Sequence, residues 1–328
     1  MTLSAYSVLA EMLPDLADSI KTNEIMAPHT TFRVGGPADL YFQPNNPDDL
    51  LQVLDACRMI DLPVTVLGCG SNVLIPDEGL RHMVIQFGGT MQNIRIIGRD
   101  DVYKIIGDHP LDESMRVRLE DDSIFVLAET GALLADLSAF ATAHDLNGLE
   151  FACGIPGSVG GAVYMNAGAY GFSMEDVIIA TRYIDQDLSL RLACGEEHDY
   201  AYRHSLFSDK GSLVLASIFQ LKRGEGEQIR SMVADFTKRR ETTQPLEFPS
   251  AGSVFKRPTG YYAGKLISDA GLRGCRIGGA EVSQKHAGFI VNAGEATAEE
   301  IRALIHHVQK IVFEKFGVEL ETEIRLIG

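Results

Sequence analysis

The chain has 328 residues, 45% of them hydrophobic, and its 45 acidic against 29 basic side chains leave a net charge of −16. That length is enough for two or three domains with real cores, and that charge disfavours nucleic acid and anionic membrane surfaces as partners. The amino-terminal segment has no basic flank or small-residue cleavage site, and no apolar run approaches the roughly 18 residues of a membrane span, so a cytoplasmic enzyme that meets anionic substrates with local cations is expected.

Val8, Leu9, Met12, Leu13, Leu16 and Ile20 recur at helical spacing and predict an amphipathic helix in a segment ended by Pro28. Residues 31–42 read as a turn between strands, 48–58 as a helix, and 64–67 as a short buried strand feeding Gly68, Cys69, Gly70, Ser71 and Asn72. From about Gly89 to Ser123 charged residues and turn formers dominate. Residues 99–103 and 109–114 there read as surface excursions from a sheet that resumes at 124–127, before a helix over 133–144. Near the end, Thr297 and Glu300 form a capping box, and Ile301, Leu304, Ile305, Val308, Ile311, Val312 and Phe316 form one apolar stripe closed by Gly317. Residues 318–327 then alternate as a strand with one charged face. The whole reads as α+β.

The run from Phe151 to Gly171 contains six glycines. So few side chains leave backbone N–H groups open to a bulky anion, and with the earlier glycine loop this favours a phosphate-bearing cofactor over a set of tight turns. The loop at Gly68 lacks the third glycine of a dinucleotide fingerprint, and a proline follows where a helix should start. A P-loop motif is absent too, which leaves a nucleotide site built from two loops. Five cysteines, at 57, 69, 153, 194 and 275, have no metal-ligand or disulfide spacing. His306 and His307 are adjacent and point to different sides of a helix, so no metal is expected. Ser253-Val-Phe-Lys256 fits the S-x-x-K pattern of acyl-serine enzymes, but its companion motifs are missing and a turn hydroxyl is the stronger reading.

Several dispersed blocks, in order, resemble the UDP-N-acetylenolpyruvoylglucosamine reductase family: His29 to Ala38, Val66 to Ile75, Gly148 to Gly171, Tyr202 to Ser205, Ala251 to Lys256, Gly264 to Asn292, and the closing Val318 to Gly328. The resemblance implies a two-domain FAD module of the vanillyl-alcohol-oxidase type plus a substrate domain. The divisions would be 1–88 joined by a terminal strand 318–328, then 89–242, then 243–317. FAD would be bound non-covalently by Gly68, Gly70, Ser71, Asn72, Pro156, Gly157, Ser158, Gly160, Gly161, Asn166, Ala167 and Gly168. NADPH would be the reductant, and UDP-N-acetylenolpyruvoylglucosamine the substrate, reduced to UDP-N-acetylmuramate for peptidoglycan. A monomer is expected.

The family's catalytic trio carries over to Arg203, Ser253 and Glu323. Arg203 would hold the substrate carboxylate, Ser253 would deliver a proton to the carbanion, and Glu323 would help as a neutral acid or hydrogen-bond donor, which requires it to be less solvated than Glu319 and Glu321. Tyr202, Lys256, Arg257, Gln284 and His286 are the substrate-side candidates. Arg257 departs from the asparagine common after the motif lysine, and the chain between Phe207 and Ala251 is short, as in the family's short-loop form. Residues 99–122 are longer than the family pattern. A flavin oxidase of the same fold and an inactive UDP-sugar-binding flavoprotein are the competing classes.

Overall fold

The computed structural model describes residues 2–87, 91–111, 115–116, 119 and 122–328. Three main sheets organise them. The first has the order Lys21–Ile25, Pro37–Phe42, Leu80–Gln86, Val64–Leu67, parallel except at its Lys21–Ile25 edge. Parallel strands need crossovers that cover the sheet, and helix Pro47–Met59 is one of them, capped by the Asn46 side chain, which accepts from Asp49 N. Leu40, Phe42, Met83 and Ile85 bury with that helix, while Tyr41, Val84 and Leu67 enter a separate cluster on the other face.

The second sheet is antiparallel, in the order Leu190–Cys194, Ile178–Ile184, Leu213–Arg223, Ile124–Glu129, Ile94–Ile97. Alternation sorts its residues. Val126, Ala128, Phe219 and Leu221 pack with helix Leu134–Ala143 and the glycine run, and Phe125 and Ile218 pack with helix Arg99–Ile106. The third sheet, Arg276–Ile277, Ala280–Val282, Ile290–Asn292, lies against helices Ala263–Asp269 and Ala298–Phe316. Phe32, Val34 and Leu74 share that cluster with Ile301, Leu304 and Val308.

The Thr297 and Glu300 capping box is present and Gly317 closes the helix at φ 67°. The strand at 64–67 and the helices near 48–58 and 133–144 form at those places. Four expectations change. The first helix is Thr2–Met12, because Pro14 disfavours helical backbone at the residue before it; Leu16 and Ile20 bury instead beside an irregular turn that leads into strand Lys21–Ile25. The second half of 31–42 is a strand, Pro37–Phe42. Residues 99–103 open a helix, Arg99–Ile106, anchored by buried Val102 and Ile106; part of 109–114 lies outside the described residues. In the tail only Arg325–Leu326 forms a strand, parallel to Val73–Leu74, and Leu320 and Ile324 are buried by cluster packing rather than by a ladder.

Candidate active site

Arg203, Ser253 and Glu323 meet on the wall of one cavity of about 510 Å³ that Tyr202, Arg257 and His286 also line. Backbone pairing brings two of them together. Val254 N donates to Gly288 O at 2.9 Å, while Glu323 N donates to Val254 O at 2.7 Å and Lys256 N to Glu321 O at 2.9 Å. The segment is thus held between two others, and Val254 is fully buried. Alternation along an extended segment turns Ser253, Phe255 and Arg257 to the cavity. It turns Lys256 away, and its Nζ sits 3.1 Å from Glu321.

Arg203 arrives on a tight turn in which Ala201 and His204 exchange backbone hydrogen bonds of 3.2 and 3.1 Å. Its φ of 56° is left-handed, a conformation that costs a non-glycine residue on the order of 1 kcal/mol and persists only when neighbours enforce it. Asn166 is one enforcer, donating to Ala201 O at 3.0 Å; His204 is another, between Asp199 and Asp209 at 3.4 Å each. Arg203 Nε then donates to Glu323 Oε1 at 2.5 Å, and the Tyr202 hydroxyl donates to Glu323 Oε2 at 3.3 Å. Burial, followed by the Glu323 charge, pushes the Tyr202 phenol up, which keeps it a donor. Only 12% of the Glu323 side chain is exposed, against 76% for Glu321. Glu323 is therefore the desolvated member of the three glutamates, and its partner is a cation.

His286 is kept below the ordinary histidine range by burial, then by Arg273, and its Nδ1 accepts from Gly288 N at 3.1 Å. The Arg257 guanidinium stacks 4.1 Å over Tyr262. Gln284 is not on the cavity wall; its carbonyl accepts from Arg273 Nη1 at 2.5 Å. Lys265, Arg273 and Lys285 are on it and were not singled out from the sequence, although they lie inside or beside the block from Gly264 to Asn292. With Arg203 and Arg257 they put five cations on the wall against the carboxylates of Asp269 and Glu323, Lys265 being paired with Asp269 at 2.6 Å.

The two glycine loops come together beside this wall. Ser71 Oγ donates to Pro156 O at 3.0 Å, and a Cβ on Gly68 would stand 2.4 Å from Ser158 Oγ. Among the described residues no acceptor bonds the N–H groups of Cys69, Gly70, Ser71, Asn72, Gly157 or Ser158. Unpartnered amides converging from two loops suit a diphosphate, so these residues fit FAD. Other candidates have internal reasons to be what they are. Gly160 lies against Thr130 Oγ1, where a Cβ would approach to 1.9 Å, and Gly168 against Phe172 O at 2.4 Å. Asn166 uses both ends of its amide internally, since Oδ1 also accepts from Glu175 N at 3.1 Å, and Ala167 packs in the apolar cluster. Gly161 is the third residue of the short helix Val159–Tyr164 and leaves room for a Cβ, its nearest neighbour being Ser158 Oγ at 3.5 Å.

Among the described residues two groups of ligand-type atoms gather in space without any spacing signal: His109, Cys194 and Glu197, and Asp199, His204 and Asp209. In each the histidine is paired with carboxylate, His109 with Glu197 at 2.7 Å.

Comparison with known proteins gives the chain's family. Residues 244–327 match the family model described as UDP-N-acetylenolpyruvoylglucosamine reductase, C-terminal domain, and residues 110–190 match an FAD binding domain. A protein named UDP-N-acetylenolpyruvoylglucosamine reductase from Agathobacter rectalis is 44% identical over 98% of this chain and 97% of its own length. One of the same name from Oceanobacillus iheyensis is 45% identical over 95% of this chain and 93% of its own. The crystal structure of the Thermus caldophilus reductase superposes with a TM-score of 0.74 at 32% identity, covering 93% of this chain and 97% of that one. The α+β chain therefore belongs to the UDP-N-acetylenolpyruvoylglucosamine reductase family and is an FAD-containing oxidoreductase.

Proposed function

We propose that the protein uses NADPH to reduce the enolpyruvyl group of UDP-N-acetylenolpyruvoylglucosamine to UDP-N-acetylmuramate, a precursor of peptidoglycan. The observation that carries this reading is the meeting of Arg203, Ser253 and Glu323 on one cation-rich wall. FAD, when bound, supplies the hydride relay between nicotinamide and the vinyl acid.

The chain's own residues do the rest. Arg203 takes the substrate carboxylate in its fork and, by withdrawing electron density, makes the terminal vinyl carbon electrophilic. Hydride addition there places negative charge on the adjoining carbon, and the Ser253 hydroxyl gives that carbon its proton. The electrons balance: one hydride and one proton convert the vinyl group to a methyl and a methine. Glu323, held at the same wall by Arg203 and the Tyr202 hydroxyl, assists as the acid or hydrogen-bond donor beside the carbanion.

Arg257 and His286, with the further wall cations Lys265, Arg273 and Lys285, suit the diphosphate and sugar. Lys256 and Gln284 are better read as supports of that wall than as ligands. The pairing of Lys256 with Glu321 also leaves the acyl-serine reading of Ser253 without its helper. The division into 1–88 with 318–328, 89–242 and 243–317 follows the three sheets closely enough to keep as a working scheme. Arg203, Ser253 and Glu323 meet within a single chain, so this wall needs no residue from a second copy. Both nucleotides are water-soluble metabolites of the cytoplasm, where we locate the reaction.

Anaerobic mixing of NADPH-reduced holoenzyme with UDP-N-acetylenolpyruvoylglucosamine tests the reading. Rapid return of the oxidised flavin spectrum is expected. No reoxidation by the vinyl acid there, with fast reoxidation in a parallel aerobic mix, would mark a flavin oxidase, and no reduction by NADPH would mark an inactive binding protein.

A further inference from the structure

Beneath the Gly68–Asn72 turn lies a chain of polar side chains that the chemistry above does not use. Gln86, 7% exposed, donates through Nε2 to the Gly68 carbonyl at 2.9 Å and the His29 carbonyl at 3.4 Å. Both partners only accept, so the orientation of the amide is dictated and Oε1 faces the other way. That oxygen receives the Tyr41 hydroxyl at 2.7 Å and lies 2.7 Å from His29 Nδ1. His29 Nε2 in turn lies 3.0 Å from Glu24 Oε1. His29 thus bridges Glu24 and the Gln86 amide, and the Tyr41 hydroxyl lies 3.3 Å from the same Nδ1. The backbone beside it clasps the same turn: Thr31 N donates to Gly70 O at 3.1 Å, and a Cβ on Gly70 would stand 2.1 Å from His29 O.

We propose that His29 is a positioning residue for the cofactor: held between Glu24 and Gln86, it fixes the Gln86 amide on the Gly68 carbonyl and so aims the amides of the Gly68–Asn72 turn at the FAD pyrophosphate. The inference rests on the assignment of that turn to FAD made above. Among the described residues the titratable groups facing this chain are Lys21, Glu24 and Tyr41. Lys21 Nζ lies 3.1 Å from Glu24. Burial works against the Glu24 charge, but hydrogen bonds from His29 and Lys21 outweigh it and hold the carboxyl below its ordinary range. Burial, then the Glu24 charge, pushes the Tyr41 phenol up, so it remains a donor. Without the imidazole, the Gln86 oxygen keeps only the Tyr41 hydroxyl as a partner, and the amide is freed to turn away from the Gly68 carbonyl.

The test is flavin release from the full-length holoenzyme, read as flavin absorbance in an ultrafiltrate. His29→Ala and Gln86→Leu are each expected to weaken FAD affinity about tenfold, the loss of one hydrogen bond in the chain that holds the turn. The double variant should lose no more than either single one, because both residues act through the same carbonyl. Glu24→Gln, at a partly exposed position that leaves the core intact, should weaken affinity less than His29→Ala and serves if His29→Ala does not fold. Wild-type affinity in these variants, or additive losses in the double variant, would overturn the role of His29 alone. Absence of FAD from the wild type would overturn the loop assignment and the inference with it.

Discussion

Arg203 and Glu323 stand 120 positions apart in the chain, yet Nε of one donates to Oε1 of the other across 2.5 Å at the wall of the cavity. The pair ties the turn at 201–204 to the carboxyl-terminal segment, where Glu319, Glu321 and Glu323 look alike by type. Desolvation and the cation separate them. Glu323→Gln is expected to reduce kcat by about a hundredfold or more, the usual cost of losing a proton-transfer or charge-stabilising group. Glu319→Gln should stay within about twofold. Steady-state kinetics on both variants decides, and equal losses would mean the wrong carboxylate has been assigned.

Substitution of Arg203 by lysine keeps the charge but removes the fork, and the left-handed turn aims a fixed planar group that an ammonium cannot imitate. Arg203→Lys should lower kcat/KM by about a hundredfold, with KM raised because the substrate carboxylate loses its bidentate partner. Flavin content should stay at the wild-type level. A variant with near-normal KM would show that another cation on the wall receives the carboxylate.

Local signals were legible where one residue type has one physical use. Thr297 and Glu300 marked a helix start and Gly317 its end, and the structure has both. The glycine run was harder to read, because close approach of a ligand and close approach of the protein's own backbone demand the same residue: Gly160 answers to Thr130 and Gly168 to Phe172. Leu16 and Ile20 kept helical spacing beyond Pro14 because burial against a sheet needs apolar residues whatever the backbone does. Lys256 sat in the right motif but on the wrong side of an extended segment, and a pattern of four letters does not carry that phase. His29 and Gln86, 57 positions apart, left no pattern at all, since their relationship exists only once strand Leu80–Gln86 lies beside the turn that carries His29.

Adjacent glycines 160 and 161 should behave oppositely. A Cβ on Gly160 would come within 1.9 Å of Thr130 Oγ1, whereas one on Gly161 has only Ser158 Oγ, at 3.5 Å. Gly160→Ala is therefore expected to destabilise the fold by about 1–3 kcal/mol through overpacking, read as a lower urea midpoint. Gly161→Ala should fold with wild-type stability, and any loss of FAD from it then reports a cofactor lying against that helix turn. Equal destabilisation of both would show that the loop does not pack as described.

His286 supplies a pH signature. Burial, then Arg273, holds its imidazole below the ordinary histidine range, so the folded protein resists a proton that the unfolded chain accepts readily. Above the ordinary histidine pKa, about 6.5, both states are neutral and the group contributes no pH dependence. As pH falls through and below that value the unfolded state binds the proton first, and stability declines. His286→Gln keeps an acceptor for Gly288 N but cannot titrate. Urea midpoints between about pH 7 and about pH 5 should fall less steeply in the variant than in the wild type. Parallel slopes would mean that His286 protonates as easily in the folded cavity as in the unfolded chain.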